Sequence, residues 1–151
     1  MNNSAIVARE TNNSVAKLPL LAAFVALIGL VDSIFLTIKH YTGGAVPCSI
    51  LEGCEQVLTS SYAEVAGIPL AALGAIAYFT AFSLAITAAF GNRLMWTLFS
   101  VQVVLMTIFT GWLFYLQASV IGAFCQFCLL SAATTLTLFF IALISKFGRS
   151  K

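Results

Sequence analysis

The chain has 151 residues, 61% of them hydrophobic and only 8% charged, with a mean hydropathy of +1.04. Soluble domains carry about 25% charged residues, so a water-facing surface cannot be built here and a soluble globular class is excluded. The net charge of +2 is small and scattered, which excludes a nucleic-acid-binding surface, and the length suits one compact unit.

In chain order, residues 1–17 form a polar leader expected to be mobile. The first apolar segment runs from Leu18 to about Ile38 and is interrupted only by Asp32. It is longer than a signal-peptide core and lacks a small-residue cleavage site, so it is expected to be retained as a helix. Asp32 lies roughly 21 Å along that helix at about 1.5 Å per residue. A carboxylate at such depth costs about 2.5–3.5 kcal/mol, so it should face the bundle or a polar cavity. It either handles protons or polarity there, or, more simply, bonds two helices together or sits near an interface.

His40–Gly67 follows as a long loop that carries Glu52, Glu55 and Glu64 and no Lys or Arg. Glu55–Tyr62 is expected to form a short helix against the bundle mouth, with Ser60 and Ser61 available as capping residues. Ile68–Phe90 is uncharged and predicts a second membrane helix, with Pro69 in its first turn, where its missing N–H costs nothing. Ala71, Ala72, Gly74, Ala75 and Ala77 should let this helix approach its neighbours closely. From Leu94 to Ser145 there is again no charge, over more than twice the about 20 residues that one span needs. Two further helices are therefore expected, joined by a turn within Gln117–Phe124. Lipid accepts only helices and closed barrels, and no alternating barrel pattern is present. The expected fold is an all-α integral membrane bundle of four transmembrane helices, one domain over residues 18–147, with a tail at 148–151.

Orientation follows from the cations. With the N-terminus inside, Arg9, Lys17, Arg93, Lys146, Arg149 and Lys151 all fall on the inner side, against Lys39 alone on the outer side. Both termini are then cytoplasmic, and the long loop faces outward.

All four cysteines then fall at the outer face. Cys48 and Cys54 lie in the loop; Cys125 and Cys128 form CQFC at the start of the fourth helix. At a helix N-terminus the first thiol of Cys-x-x-Cys is expected to be exposed and the second to lie one turn deeper. Unpaired N–H groups and the helix dipole favour a thiolate there, with pKa values of roughly 3.5–7.5 typical of such settings. A thiolate is what disulfide exchange needs, both as attacker and as leaving group. Gly53 can let the loop bend. A four-cysteine zinc site is a weaker reading, because Cys-x5-Cys is wide for a zinc knuckle and His40 is the only histidine. Two purely structural disulfides are the stronger alternative. A Cys-x-x-Cys on a helix start nevertheless suits exchange better than stapling.

GLVDSIFLTIKHY, then Cys48 with GCEQVLTSSYAEVAGIPLAALGAIAYF, then FCQFC together resemble the vitamin K epoxide reductase family in its short bacterial form. The resemblance covers most of residues 29–131. It implies a four-helix bundle in the cytoplasmic (inner) membrane, with a quinone (ubiquinone or menaquinone) held between the helices. Cys48 and Cys54 match the loop shuttle pair, Cys125 the cysteine that exchanges with it, and Cys128 the one that faces the quinone. Ser60 matches a loop serine near the quinone site. Electrons would pass from a thioredoxin-like partner through Cys48/Cys54 and Cys125/Cys128 to the quinone. The chain ends at Lys151, so that partner is expected as a separate protein.

Two positions depart from the animal members. Ala132 stands where they carry a tyrosine, and Leu70 where they carry a quinone-facing asparagine. Both departures favour a plain quinone over an epoxide as acceptor. Tyr78, Trp112, Phe124 and Phe127 are candidates to wall the pocket, though ordinary packing is the simpler expectation for each. A rival from another class is a non-enzymatic adaptor or small transporter whose disulfides only brace the loop; a reductase running the opposite way would use the same residues.

Overall fold

With no water in the bilayer core, each long apolar run must satisfy its own backbone groups, and a helix is the local solution. The computed structural model describes the backbone of residues 3–149 and the side chains of residues 17–148. Its elements are α1 (Asn3–Thr42), α2 (Cys54–Leu58), β1 (Glu64–Val65), β2 (Ile68–Pro69), α3 (Leu70–Ala89), α4 (Arg93–Tyr115) and α5 (Gln126–Arg149). A π-helical segment, Leu116–Ile121, prolongs α4. Among the described residues, four stretches are long and apolar enough to cross a membrane: Lys17–Thr42, Leu70–Ala89, Arg93–Ile121 and Gln126–Gly148. The four-helix membrane bundle expected from the sequence is what the chain forms.

The helices close on one another, α1 against α3 and α5, with α4 bridging α3 and α5. Between lipid-bathed helices no hydrophobic force drives association, so close approach through small residues takes over. Ala22, Ala26, Ala81 and Ala85 are fully buried between α1 and its neighbours. Gly29 belongs to the same seam: a Cβ there would collide with the Tyr78 ring. Tyr78 uses that gap to reach across the bundle. Its hydroxyl donates to the Ser131 carbonyl at 2.7 Å and lies 2.8 Å from the hydroxyls of both Thr134 and Thr135 on α5. The opposite faces, with Phe24, Val31, Ile76, Ile108 and Phe140, are exposed and suited to lipid.

Several local features differ from expectation. The turn between the last two helices is shorter than Gln117–Phe124, because the chain stays helical to Ile121. Gly122 then takes a left-handed φ of 69° and ends it, as glycine does at helix C-termini. The loop helix is Cys54–Leu58 rather than Glu55–Tyr62. Beyond it the chain makes a small hairpin, in which Val65 pairs with Ile68. Ala66 and Gly67, at φ 54° and 79°, are its two turn residues, as a tight I′-type turn requires. Pro69 sits just before α3 as its cap residue, one position earlier than expected. Between α3 and α4, Gly91 has a φ of 96°, and the Asn92 side chain accepts from Leu94 N–H at 3.1 Å to start α4. α1 begins at Asn3, so its backbone helix includes most of the segment expected to be a mobile leader; the side chains of residues 1–16, like the terminal tail beyond Arg149, lie outside the described residues.

Candidate active site

The loop between α1 and α3 folds back over the α4–α5 turn and brings the cysteines together. Cys54 opens α2, and Cys125 immediately precedes α5. Both are fully buried in one cluster with Val57, packed against Cys48, Ile121, Phe127 and Cys128. Cys48 and Cys54 are joined as a disulfide, with Cα atoms 6.3 Å apart, while Cys125 and Cys128 are free thiols.

Gly53 explains how the loop comes so close. A Cβ at this position would lie 2.8 Å from the Phe124 carbonyl oxygen and 3.0 Å from both Phe124 N and the Ala123 side chain. Its φ of −87° is open to any residue, so the glycine serves close backbone approach, not bending as expected from the sequence. Two glutamines complete the dock. Ile50 N–H donates to Gln126 Oε1 at 3.3 Å, tying the loop to the first turn of α5. Cys125 N–H donates at 3.3 Å to Oε1 of Gln117, a buried residue of the π-helical segment. Neither glutamine was singled out as a site residue; the signal was a lone amide in an apolar run, and the residue inside CQFC itself.

The thiols are not exposed in the order expected. Cys125 is fully buried, and Cys128, partly accessible, lines a cavity between the helices. In the loop pair Cys48 is the accessible member and Cys54 the buried one. A hydrogen bond from the Cys128 thiol, helped by backbone N–H groups of Cys128 and Phe127, outweighs burial and holds Cys125 down at about 7. The helix start therefore stabilises a thiolate, but the neighbouring thiol contributes most.

The cavity has a volume of about 440 Å³. Its walls are largely apolar, with Leu36, Leu73, Leu105, Met106 and Phe109, and a few polar groups converge on it: Asp32, Ser60, Gln102, Gln117 and Cys128. Size and lining are those of a small-molecule site for a mainly apolar ligand. Ser60 lines it while donating to the Val57 carbonyl at 2.7 Å, so the one hydroxyl both closes the end of α2 and offers lone pairs inward. Of the candidate wall aromatics only Tyr78 lines the cavity. Phe127 packs on Phe35 with centroids 5.4 Å apart, and Phe124 on Phe114 at 5.9 Å. At the mouth, His40 Nε2 meets Glu64 Oε1 at 2.9 Å and links α1 to the hairpin.

The sequence profile of the vitamin K epoxide reductase family matches residues 20–143, which spans both cysteine pairs and the whole cavity. The chain belongs to this family. Among curated proteins, thiol-disulfide oxidoreductase LTO1 of Arabidopsis thaliana is 30% identical over 122 residues, 75% of this chain. Those residues make up 32% of the relative, so the chain spans about a third of that protein's length. Within the family frame, the two departures noted above acquire a location: Leu70 and Ala132 both line the cavity. At these two positions, where the resemblance implies an amide and a phenol in animal members, the cavity is lined by methyl groups.

Proposed function

We propose that this family member is a membrane thiol–disulfide oxidoreductase. It passes electrons from a thioredoxin-like protein on the outer side, through Cys48/Cys54 and then Cys125/Cys128, to a membrane quinone. One observation carries the reading. Cys54 and Cys125 are buried against each other's surroundings, while Cys48 remains accessible on one side and Cys128 opens into the cavity on the other. The four sulfurs thus have two ends, one suited to an aqueous dithiol and one to an apolar acceptor.

The state described, with the loop pair oxidised and Cys125/Cys128 reduced, corresponds to the stage after internal exchange and before the acceptor is used. Reaching it takes one exchange: the Cys54 thiolate attacks Cys125 of the inner disulfide, and Cys48 then resolves the mixed disulfide. The attack releases Cys128 and the resolution releases Cys125, whose thiol near 7 makes it a good leaving group in that second step. A quinone would supply a sink for two electrons and two protons. The residues present fit its ring: apolar walls, a neighbouring thiol, and a buried polar atom, Asp32 Oδ2, without a hydrogen-bond partner. The cation distribution supports cysteines on the outer face and both termini inside. Disulfides persist in that compartment, so the physiological result would be disulfide formation in exported proteins.

The test is quinone reduction by the purified protein in detergent, driven by a reduced thioredoxin-like donor. Wild type should turn over, whereas Cys54→Ala and Cys128→Ala should fall to background. A folded wild type that reduces neither ubiquinone nor menaquinone analogues with any of several donors would sink the reading and return the braced-adaptor alternative.

A further inference from the structure

Asp32 has a feature that architecture does not explain. It is 94% buried, on the cavity side of a membrane-spanning helix, and its Oδ2 has no hydrogen-bond partner among the described residues. The simpler expectation, a hydrogen bond tying two helices together, finds no partner here. A buried carboxyl left unpaired is costly, and an ionisable group at such depth is characteristically functional. The other ionisable groups lining the cavity are His40, Tyr62, Tyr78 and Cys128. His40 is engaged by Glu64 at the mouth, Tyr62 is half-exposed, and the Tyr78 hydroxyl is saturated by α5. Asp32 is the uncommitted one, and it shares the cavity with Cys128 from the adjacent helix.

We propose that Asp32 is the internal proton carrier of the cavity, taking the proton that Cys128 loses and delivering one to an oxygen of the acceptor. This rests on the quinone-linked reading above. Closing the Cys125–Cys128 disulfide breaks two S–H bonds, forms one S–S bond and releases two electrons and two protons. Reducing the quinone to the quinol consumes the same two electrons and two protons. The Cys128 proton travels through Asp32: an O–H bond forms on the carboxylate and breaks again at delivery. The Cys125 proton leaves to the outer aqueous side, and one proton enters the cavity from that side in exchange. The route keeps bulk water away from Cys128 while letting a proton follow the electrons.

The experiment compares wild type with Asp32→Asn, which keeps size and polarity but cannot carry a proton, and with Asp32→Glu. Three readouts are taken on detergent-purified protein. The first is oxidation of the reduced Cys125/Cys128 pair by a short-chain ubiquinone. The second is exchange between the loop and inner pairs with no quinone present. The third is the transient infrared carboxyl C=O band, followed in time while the quinone oxidises the reduced pair. Asp32→Asn should slow quinone-linked oxidation by about 100-fold, the scale of one general acid–base group. It should leave loop exchange unchanged and remove a carboxyl band that wild type shows, and Asp32→Glu should recover most of the rate. Oxidation of Asp32→Asn at the wild-type rate, or equal slowing of exchange and oxidation, would overturn the proposal. So would wild-type oxidation with no transient carboxyl band, a readout that stands even if the variant does not fold. A wild type that reduces no quinone would instead remove the parent reading.

Discussion

The two ends of the bundle are built on opposite principles. Away from the loop, α1 and α3 meet through Ala22, Ala26, Ala81 and Ala85, residues with little surface and no polar side-chain atoms. At the loop end a cavity opens between the helices, and regular structure gives way to a five-residue helix, a hairpin of two-residue strands and a π-helical segment. Polar groups, absent from the alanine seam, gather there: Asp32, Ser60, Gln117 and the cysteines. Tight packing at one end holds the helices in register, and its absence at the other leaves room for chemistry. π-Helical segments are themselves frequent at functional sites because they re-aim side chains, here Gln117 towards the backbone of Cys125.

Substitutions in glycine separate the two ends most sharply. Gly53→Val places carbon against the Phe124 backbone and the Ala123 methyl, neither of which can swing aside, so the loop must lift from CQFC. Exchange between Cys54 and Cys125, followed by quenched-flow alkylation, should slow by about 100-fold, since misplacement of about 1 Å costs that much. Thermal unfolding should barely move. Gly29→Ala should do the reverse. Its Cβ collides with the Tyr78 ring and pulls the hydroxyl from its partners on α5. Overpacking of this kind costs about 1–3 kcal/mol, to be read from unfolding in detergent, with exchange per folded molecule unchanged. Equal effects of both variants on both readouts would dissolve the distinction between a structural end and a chemical end.

How much of this was legible in the sequence follows the same divide. The four spans could be read because lipid forces each long uncharged run, such as Ile68–Phe90, into one conformation. The resemblance assigned roles to Cys48, Cys54, Cys125 and Cys128, and the structure gathers all four. What could not be read depends on contacts distant in the chain. The turn was expected to begin at Gln117, yet the helix continues to Ile121 with a wider turn. Gly53 looked like a hinge, because nothing local shows that residue 124 lies against it. The exposure of the two CQFC thiols was inverted for a similar reason: an isolated helix start would expose Cys125, but the folded-back loop covers it.

Burial and thiolate chemistry meet at Cys125, and pH sharpens their contrast. A thiol held at about 7 rather than its ordinary 9.0 is mostly protonated below pH 7 and mostly ionised above it. The thiolate share should rise from roughly a tenth at pH 6 to nine-tenths at pH 8, so thiolate-dependent steps should quicken about tenfold across that window. Thiolate ultraviolet absorbance, titrated with the loop pair oxidised, should show a midpoint near 7. In Cys128→Ala the largest stabilising hydrogen bond is gone, so the midpoint should move upward. A midpoint unchanged by that substitution would assign the effect to the helix start alone.

The smallest expected effect concerns how the loop is held. Gln126 lies between the two inner cysteines, yet its side chain turns to the loop and accepts from Ile50 N–H near Cys48. Gln126→Ala removes that bond at an exposed position, where water can replace it, so the loss should be about 0.5–1.5 kcal/mol. The consequence is kinetic. A loosened loop presents Cys54 to Cys125 less often, and about 1 kcal/mol corresponds to roughly fivefold slower exchange. Gly53 continues to permit the close approach in this variant, so the docked geometry survives and only its population falls. Exchange slowed several-fold, with unchanged oxidation of the inner pair by quinone, is the expected result. Slowing of both would mean that Gln126 also shapes the start of α5, making the loop tether and the inner pair one mechanical unit.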